Sequence, residues 1–116
     1  MDNIKFLFPL NCEIAIFVPS TIDVDKEIDN SQYVKATLAK LSGIFGGATA
    51  QQAFGGWVSE SGNLVTEKVT IVYANCTSEQ LEANISECVE YAKKLCKQMS
   101  QECISVRVNG KLGFIS

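Results

Sequence analysis

The most specific chemical group in this sequence is a single guanidinium, Arg107, the only arginine in the chain. Its planar fork of donors fits a carboxylate or phosphate and stacks on rings. Arg107 lies in "ECISVRV", a run that reads as a β-strand, and the aromatic and basic residues that could join it lie in other strands. Five cysteines, Cys12, Cys76, Cys88, Cys96 and Cys103, are the remaining reactive groups, and histidine is absent. That absence removes Ser-His-Asp and Cys-His catalysis, HExxH zinc sites and mixed Cys/His fingers. No CxxC pair occurs, which disfavours a thioredoxin-like site or a zinc ribbon. Cys88 and Cys96 fall on the apolar stripe of a helical pattern, where a free thiol behaves as a small buried hydrophobe. No metal and no cofactor is expected.

These groups are carried by a chain of 116 residues, 47% hydrophobic and 20% charged, with a net charge of −3. That length suits one domain spanning residues 1–116 around a single core. An acidic balance with scattered lysines lacks the clustered basic field that duplex nucleic acid requires. No run reaches the ~20 apolar residues that span a bilayer. The opening "MDNIKFLFPLNC" has neither the basic region nor the cleavage site of a signal peptide. A cytoplasmic location and reduced thiols are expected.

The elements follow from periodicity. "IKFLFPLNC" reads as a short edge segment broken by Pro9, followed by a strand from about Glu13 to Val18 with Ile14, Ile16 and Val18 on one face. "PSTIDVDKEIDN" is an acidic loop closing on Asp29 and Asn30, both good N-caps. A helix from about Ser31 to Phe45 places Val34, Leu38, Leu41, Ile44 and Phe45 on one face and stops at Gly46. Residues 48–60 and 64–74 form a hairpin around Gly62 and Asn63. "TSEQ" at Thr77–Gln80 is a capping box that starts a helix of about five turns. Its stripe is Leu81, Ile85, Cys88, Val89, Ala92, Leu95, Cys96 and Met99, and its charges run from glutamates to lysines along the macrodipole. "ECISVRV" then passes through Asn109-Gly110, a type I′ turn, into a small C-terminal hairpin with "KLGFI".

The order of strand, helix, hairpin, helix and strand is the split βαβ pattern of an α+β, ferredoxin-like βαββαβ sandwich. One antiparallel sheet carries two helices on one face and leaves the other uncovered. With Ile104, Val106 and Val108 under the helices, the open face receives Arg107, Cys103, Ser105 and Asn109 from the last strand. Glu13, Ala15 and Phe17 come from the first strand and Thr66, Lys68, Thr70 and Val72 from the third. Either Phe54 or Trp57 joins them, the choice depending on whether Gly55 and Gly56 form a bulge, because a one-residue slip exchanges the faces. The candidate ligand-binding set is therefore Arg107, Lys68, Thr70 and Asn109 with Phe54, Trp57 and the Gly55-Gly56 pair. A cation beside an aromatic floor suits a small anionic ligand with an aromatic part, such as a nucleotide. An isolated arginine on a strand also pairs readily with Glu13 or Glu67. The glycines of "SGIFGGATAQQAFGGWVSESG" do not make a phosphate loop, since Gly46-Gly47 follows a helix and no Lys-Ser/Thr pair is present.

The run "IFGGATAQQAFGGWVSESGNLVTEKVTIVY" resembles a group of short, uncharacterised bacterial and phage proteins with ferredoxin-like βαββαβ domains. The resemblance spans about Glu13 to Val108 and implies a fold but no chemistry. More loosely, the chain is similar in type to phage anti-defence proteins that sequester nucleotide signals of bacterial immunity, including cyclic ADP-ribose variants. That likeness implies an oligomeric sponge rather than an enzyme.

Three functions are distinguished. The leading expectation is a non-catalytic binder of a small anionic ligand at the interface of a homo-oligomer, whose open face is too apolar to be left wet. A protein-interaction or inhibitor domain would use an exposed strand edge or the loop carrying Asp23, Asp25 and Glu27. A small cofactor-free dimeric enzyme of the ferredoxin-like class would need Glu67, Glu13, Tyr73 or a cysteine as acid or base, Cys103 being the one near Arg107.

Overall fold

A computed structural model describes residues 4–23 and 26–116. Strand β1 spans Cys12–Pro19, β2 Thr21–Ile22, β3 Lys26–Glu27, helix α1 Ser31–Phe45, β4 Thr49–Val58, β5 Leu64–Cys76, α2 Ser78–Gln98, β6 Ile104–Val108 and β7 Lys111–Ile115. The main sheet has the order β4-β5-β1-β6-β7 with every neighbouring pair antiparallel. The first four of these strands have ferredoxin-like order, and β7 is an added edge. Both helices pack on one face, which is the α+β arrangement read from the sequence.

Local chemistry sets the boundaries. Thr77 Oγ1 accepts from the Gln80 amide at 3.1 Å while Gln80 Oε1 accepts from the Thr77 amide at 2.9 Å, the reciprocal capping box that is worth about 1 kcal/mol. Helix α1 ends where Gly46 takes φ 90°, a left-handed conformation that glycine adopts without steric cost. Asn109 and Gly110, with φ 50° and 83°, turn β6 into β7 as a type I′ pair. Asn30 differs from its expected role: it occupies the α1 N-cap without a capping side-chain bond. Its amide instead donates to the Pro19 carbonyl at 3.0 Å and to Thr70 Oγ1 at 3.4 Å, while Asp29 Oδ1 accepts from the Ser31 amide.

Two expected loops and edges change. Residues 4–11 form no strand and leave Phe6, Leu7 and Phe8 well exposed. The acidic segment is a two-stranded hairpin of β2 and β3 rather than an open loop, and Asp25 lies outside the described residues.

The core lies between the sheet and the helices. Ile14, Ile16 and Val18 of β1, Val72, Ala74 and Cys76 of β5, and Ile104 and Val106 of β6 meet Leu41 and Phe45 of α1 and Leu81, Cys88, Ala92, Leu95 and Cys96 of α2, with Met99 just beyond. The register of Ile14 with Ala74, Ile16 with Val72 and Val18 with Thr70 makes even-numbered residues of β5 face the helices. The expected faces of β5 are thereby exchanged. Thr66, Lys68, Thr70 and Val72 lie on the helix side, and Glu67, Val69, Ile71 and Tyr73 lie on the open face.

Candidate functional site

The open face is built by alternation. It takes Glu13, Ala15, Phe17 and Pro19 from β1, Val65, Glu67, Val69, Ile71 and Tyr73 from β5, and Ser105 and Arg107 from β6. Leu112 and Phe114 come from β7, and Thr49, Gln51, Ala53, Gly55 and Trp57 from β4. Trp57, not Phe54, is the ring on this face. Phe54 sits on the opposite pleat, opposite Lys68, and is 75% exposed.

A cavity of about 420 Å³ opens at the Pro19 end of this face. Phe17, Val69 and Ile71 form an apolar floor, Phe54 closes one side, and Glu67, Lys68 and Cys103 stand around it. A second cavity of about 620 Å³ continues along the hairpin under Trp57 and shares Thr21, Phe54, Glu67 and Lys68 with the first. Each lies within the size range of small-molecule sites, and the mix of apolar walls with a few charged groups is typical of them.

The expected site residues separate into two groups. Phe54, Trp57, Gly55 and Lys68 line one or both cavities. Arg107 and Asn109 do not: they are engaged with Glu13. Arg107 Nε donates to Glu13 Oε1 at 3.2 Å, and its guanidinium carbon lies 5.4 Å from the centroid of the Phe17 ring, within cation–π range. Asn109 Oδ1 accepts from the Glu13 amide at 2.9 Å, and its Nδ2 donates to Cys12 Sγ at 3.7 Å. The arginine therefore stands behind a wall of the cavity instead of inside it. Thr70 is 7% exposed and holds the Asn30 amide. It is not a neighbour of Arg107 on one face.

The Gly55-Gly56 bulge is absent. The register runs unbroken from Thr49–Tyr73 to Val58–Leu64. A methyl group at Gly55 would meet Glu67 Cγ at 3.9 Å and one at Gly56 would meet Leu64 Cδ1 at 3.5 Å, both ordinary contacts. The pair is ordinary strand, although Gly55 does leave room at the cavity wall beside Glu67.

Glu67 is the residue that sequence reading assigned to the wrong face. It lines both cavities and has no ion-pair partner among the described residues. Its parity is opposite to that of Ala74 and Cys76, small residues suited to close helix packing, and that alternation is the signal that places it on the open face.

The cysteines divide by burial. Cys12, Cys76, Cys88 and Cys96 are buried and Cys103 is exposed at the cavity rim. Burial, aided by the Glu87 carboxylate, pushes the Cys88 thiol up to about 11, and burial also raises Cys76 and Cys96. Alkylation requires thiolate and access. Brief iodoacetamide treatment of folded protein at mildly alkaline pH is therefore expected to add one carbamidomethyl group, at Cys103, and none to a Cys103→Ser variant. Mass spectrometry showing several adducts on folded protein would contradict the burial pattern.

No family model and no curated protein matches the chain. Two solved structures do. A phage SAM lyase in complex with S-methyl-5′-thioadenosine is 22% identical with a TM-score of 0.65, the match covering 97% of this chain and 95% of the other. A phage SAM lyase in the apo state is 20% identical with a TM-score of 0.62, covering 97% and 94%. This likeness establishes the fold. It also corrects the expectation of a non-catalytic sponge for an anionic nucleotide. That expectation rested on the type of fold and on the lack of a paired acid or base, whereas in those compared structures the same fold serves a lyase, one of them holding S-methyl-5′-thioadenosine, an uncharged nucleoside thioether.

Proposed function

We propose that this chain is a lyase that cleaves S-adenosylmethionine to S-methyl-5′-thioadenosine. The observation that supports it is the match of nearly the whole chain to a lyase holding that product. The open-face cavity adds a site of suitable size and character.

The chemistry suits such a site. A lyase adds no water, and with no histidine to act as the base of an elimination, the substrate's own carboxylate is the group we propose displaces sulfur. An oxygen of the α-carboxylate attacks Cγ of the amino-acid chain, the Cγ–S bond breaks, and its electron pair leaves with sulfur as the neutral thioether. The four-carbon remainder closes as a five-membered lactone. No proton is transferred, so no general acid or base is needed. A carboxylate and a sulfonium are both neutralised in the process, so the transition state is less charged than the ground state. Apolar walls such as Phe17, Val69 and Ile71 weaken solvation of the separated charges and so favour the reaction. Aromatic rings at Phe17, Phe54 and Trp57 offer surfaces for the adenine or the sulfonium, and the Glu67 carboxylate offers a counter-charge.

The working form we propose is a homo-oligomer. Phe54, Trp57, Val58 and Leu64 on the hairpin, with Leu112 and Phe114 on β7, are each more than half exposed. Trp57, Leu112 and Phe114 lie on the open face and Phe54, Val58 and Leu64 on the other pleat of the hairpin, and exposed apolar side chains of this kind are what a second copy would cover.

Purified protein incubated with S-adenosylmethionine is expected to release S-methyl-5′-thioadenosine and the lactone in equal amounts, above the slow breakdown in a heat-denatured control. In water enriched in heavy oxygen, the lactone ring forms without label. Return of intact substrate would overturn the lyase reading, and label in the ring would replace internal displacement with hydrolysis.

A further inference from the structure

Lys68 is the one basic side chain among the described lining residues of the two joined cavities. It has no ion-pair partner among the described residues, although Glu27 and Glu67 line the second cavity with it. Lys68 and Glu67 are consecutive on β5 and belong to opposite pleats, yet both line the cavities at a point where β1 has ended opposite Val69 and that edge of β5 pairs with no strand of the sheet. Glu67, Phe54 and Lys68 are shared by both cavities, so they mark the junction between the apolar cavity over Phe17 and Ile71 and the one under Trp57.

The charges at this junction mirror the proposed substrate. S-adenosylmethionine carries a sulfonium, an α-ammonium and an α-carboxylate at neutral pH. The walls offer two carboxylates and one ammonium. We propose that Lys68 is the specificity-determining residue that reads the α-carboxylate, with the nucleoside in the apolar cavity and the amino-acid end at the junction beside Glu67 and Glu27. This rests on the lyase reading and adds a selectivity to it: sulfonium nucleosides lacking the carboxylate are bound without help from Lys68. One carboxylate oxygen held by the ammonium leaves the other turned toward Cγ. Lys68 thus orients the group that forms the new C–O bond.

The test compares Lys68→Ala and Lys68→Arg with the unaltered protein, using steady-state kinetics on S-adenosylmethionine and calorimetric binding of S-methyl-5′-thioadenosine, which lacks the amino-acid end. Lys68→Ala is expected to raise KM about tenfold, the scale of one partly exposed charge-assisted hydrogen bond. Binding of the thioadenosine should stay within about twofold, and Lys68→Arg should recover most of the loss. The decarboxylated sulfonium, used as a competitive inhibitor, should bind the unaltered and alanine proteins alike. An unchanged KM would overturn the assignment. So would equal weakening of the thioadenosine, which would make Lys68 part of the nucleoside wall. If the unaltered protein binds S-adenosylmethionine without cleaving it, the lyase reading falls while the ratio of its Kd in the two proteins still decides Lys68. Absence of binding to either overturns both.

Discussion

Glu67→Gln is expected to lower kcat/KM for S-adenosylmethionine about 10- to 100-fold with no change in the unfolding midpoint. The side chain is exposed on β5, lines both cavities and has no ion-pair partner among the described residues. Glutamine keeps its shape and removes its charge. A surface change of that kind costs the fold within about 0.5 kcal/mol. A carboxylate set against a substrate cation, in contrast, is worth about 1.5–3 kcal/mol, and each 1.4 kcal/mol is a factor of ten. Glu13→Gln is the internal comparison. It removes the charge from a partly exposed pair with Arg107, behind the Phe17 ring, where an ion pair contributes about 1 kcal/mol or less. Kinetics and urea midpoints on the two variants check this. Equal effects from Glu13 and Glu67, or none from Glu67, would remove the carboxylate from the site.

That Glu67 and not Arg107 reaches the cavity shows where sequence reading fails. The elements themselves were legible because each has a local cause: the Thr77–Gln80 box, the positive φ of Gly46, the Asn109-Gly110 turn and the apolar stripes of two helices. The parity of β5 was not. Val65, Val69, Ile71 and Tyr73 are its greasier set, and hydrophobicity assigns the greasier set to the core. Here the core takes Thr70, Val72, Ala74 and Cys76, and the greasier residues form the uncovered face. An apolar face without helices is what the proposed ligand or a second copy would cover, and it is there that hydrophobicity alone assigns the wrong face. On the lyase reading proposed above, the missing catalytic set has a related explanation. Lack of histidine excludes chemistry that moves a proton through imidazole, whereas internal displacement by the substrate's own carboxylate moves none.

Neighbouring residues on β1 should separate stability from binding, because alternation sends them to opposite faces. Ile16 is fully buried between the sheet and the helices. Ile16→Ala is expected to cost about 2–5 kcal/mol through lost transfer energy and a residual cavity. That is a large part of the ~5–15 kcal/mol available to a domain of this kind. Phe17 is half-buried on the open face, forms the cavity floor and lies under the Arg107 guanidinium. Phe17→Ala removes that floor and the cation–π contact while leaving the helix-side core in place. Its expected cost to stability is therefore the smaller of the two, and its expected effect on S-methyl-5′-thioadenosine is about tenfold weaker binding. Urea unfolding and calorimetry on both variants decide the matter. At low denaturant, folded Ile16→Ala should bind the thioadenosine within about twofold of the unaltered protein, since nothing on its face of the strand meets the cavity. If the two substitutions shift midpoint and affinity in the same ratio, the sheet does not divide into a face that folds and a face that binds, and the cavity over Phe17 is not the site.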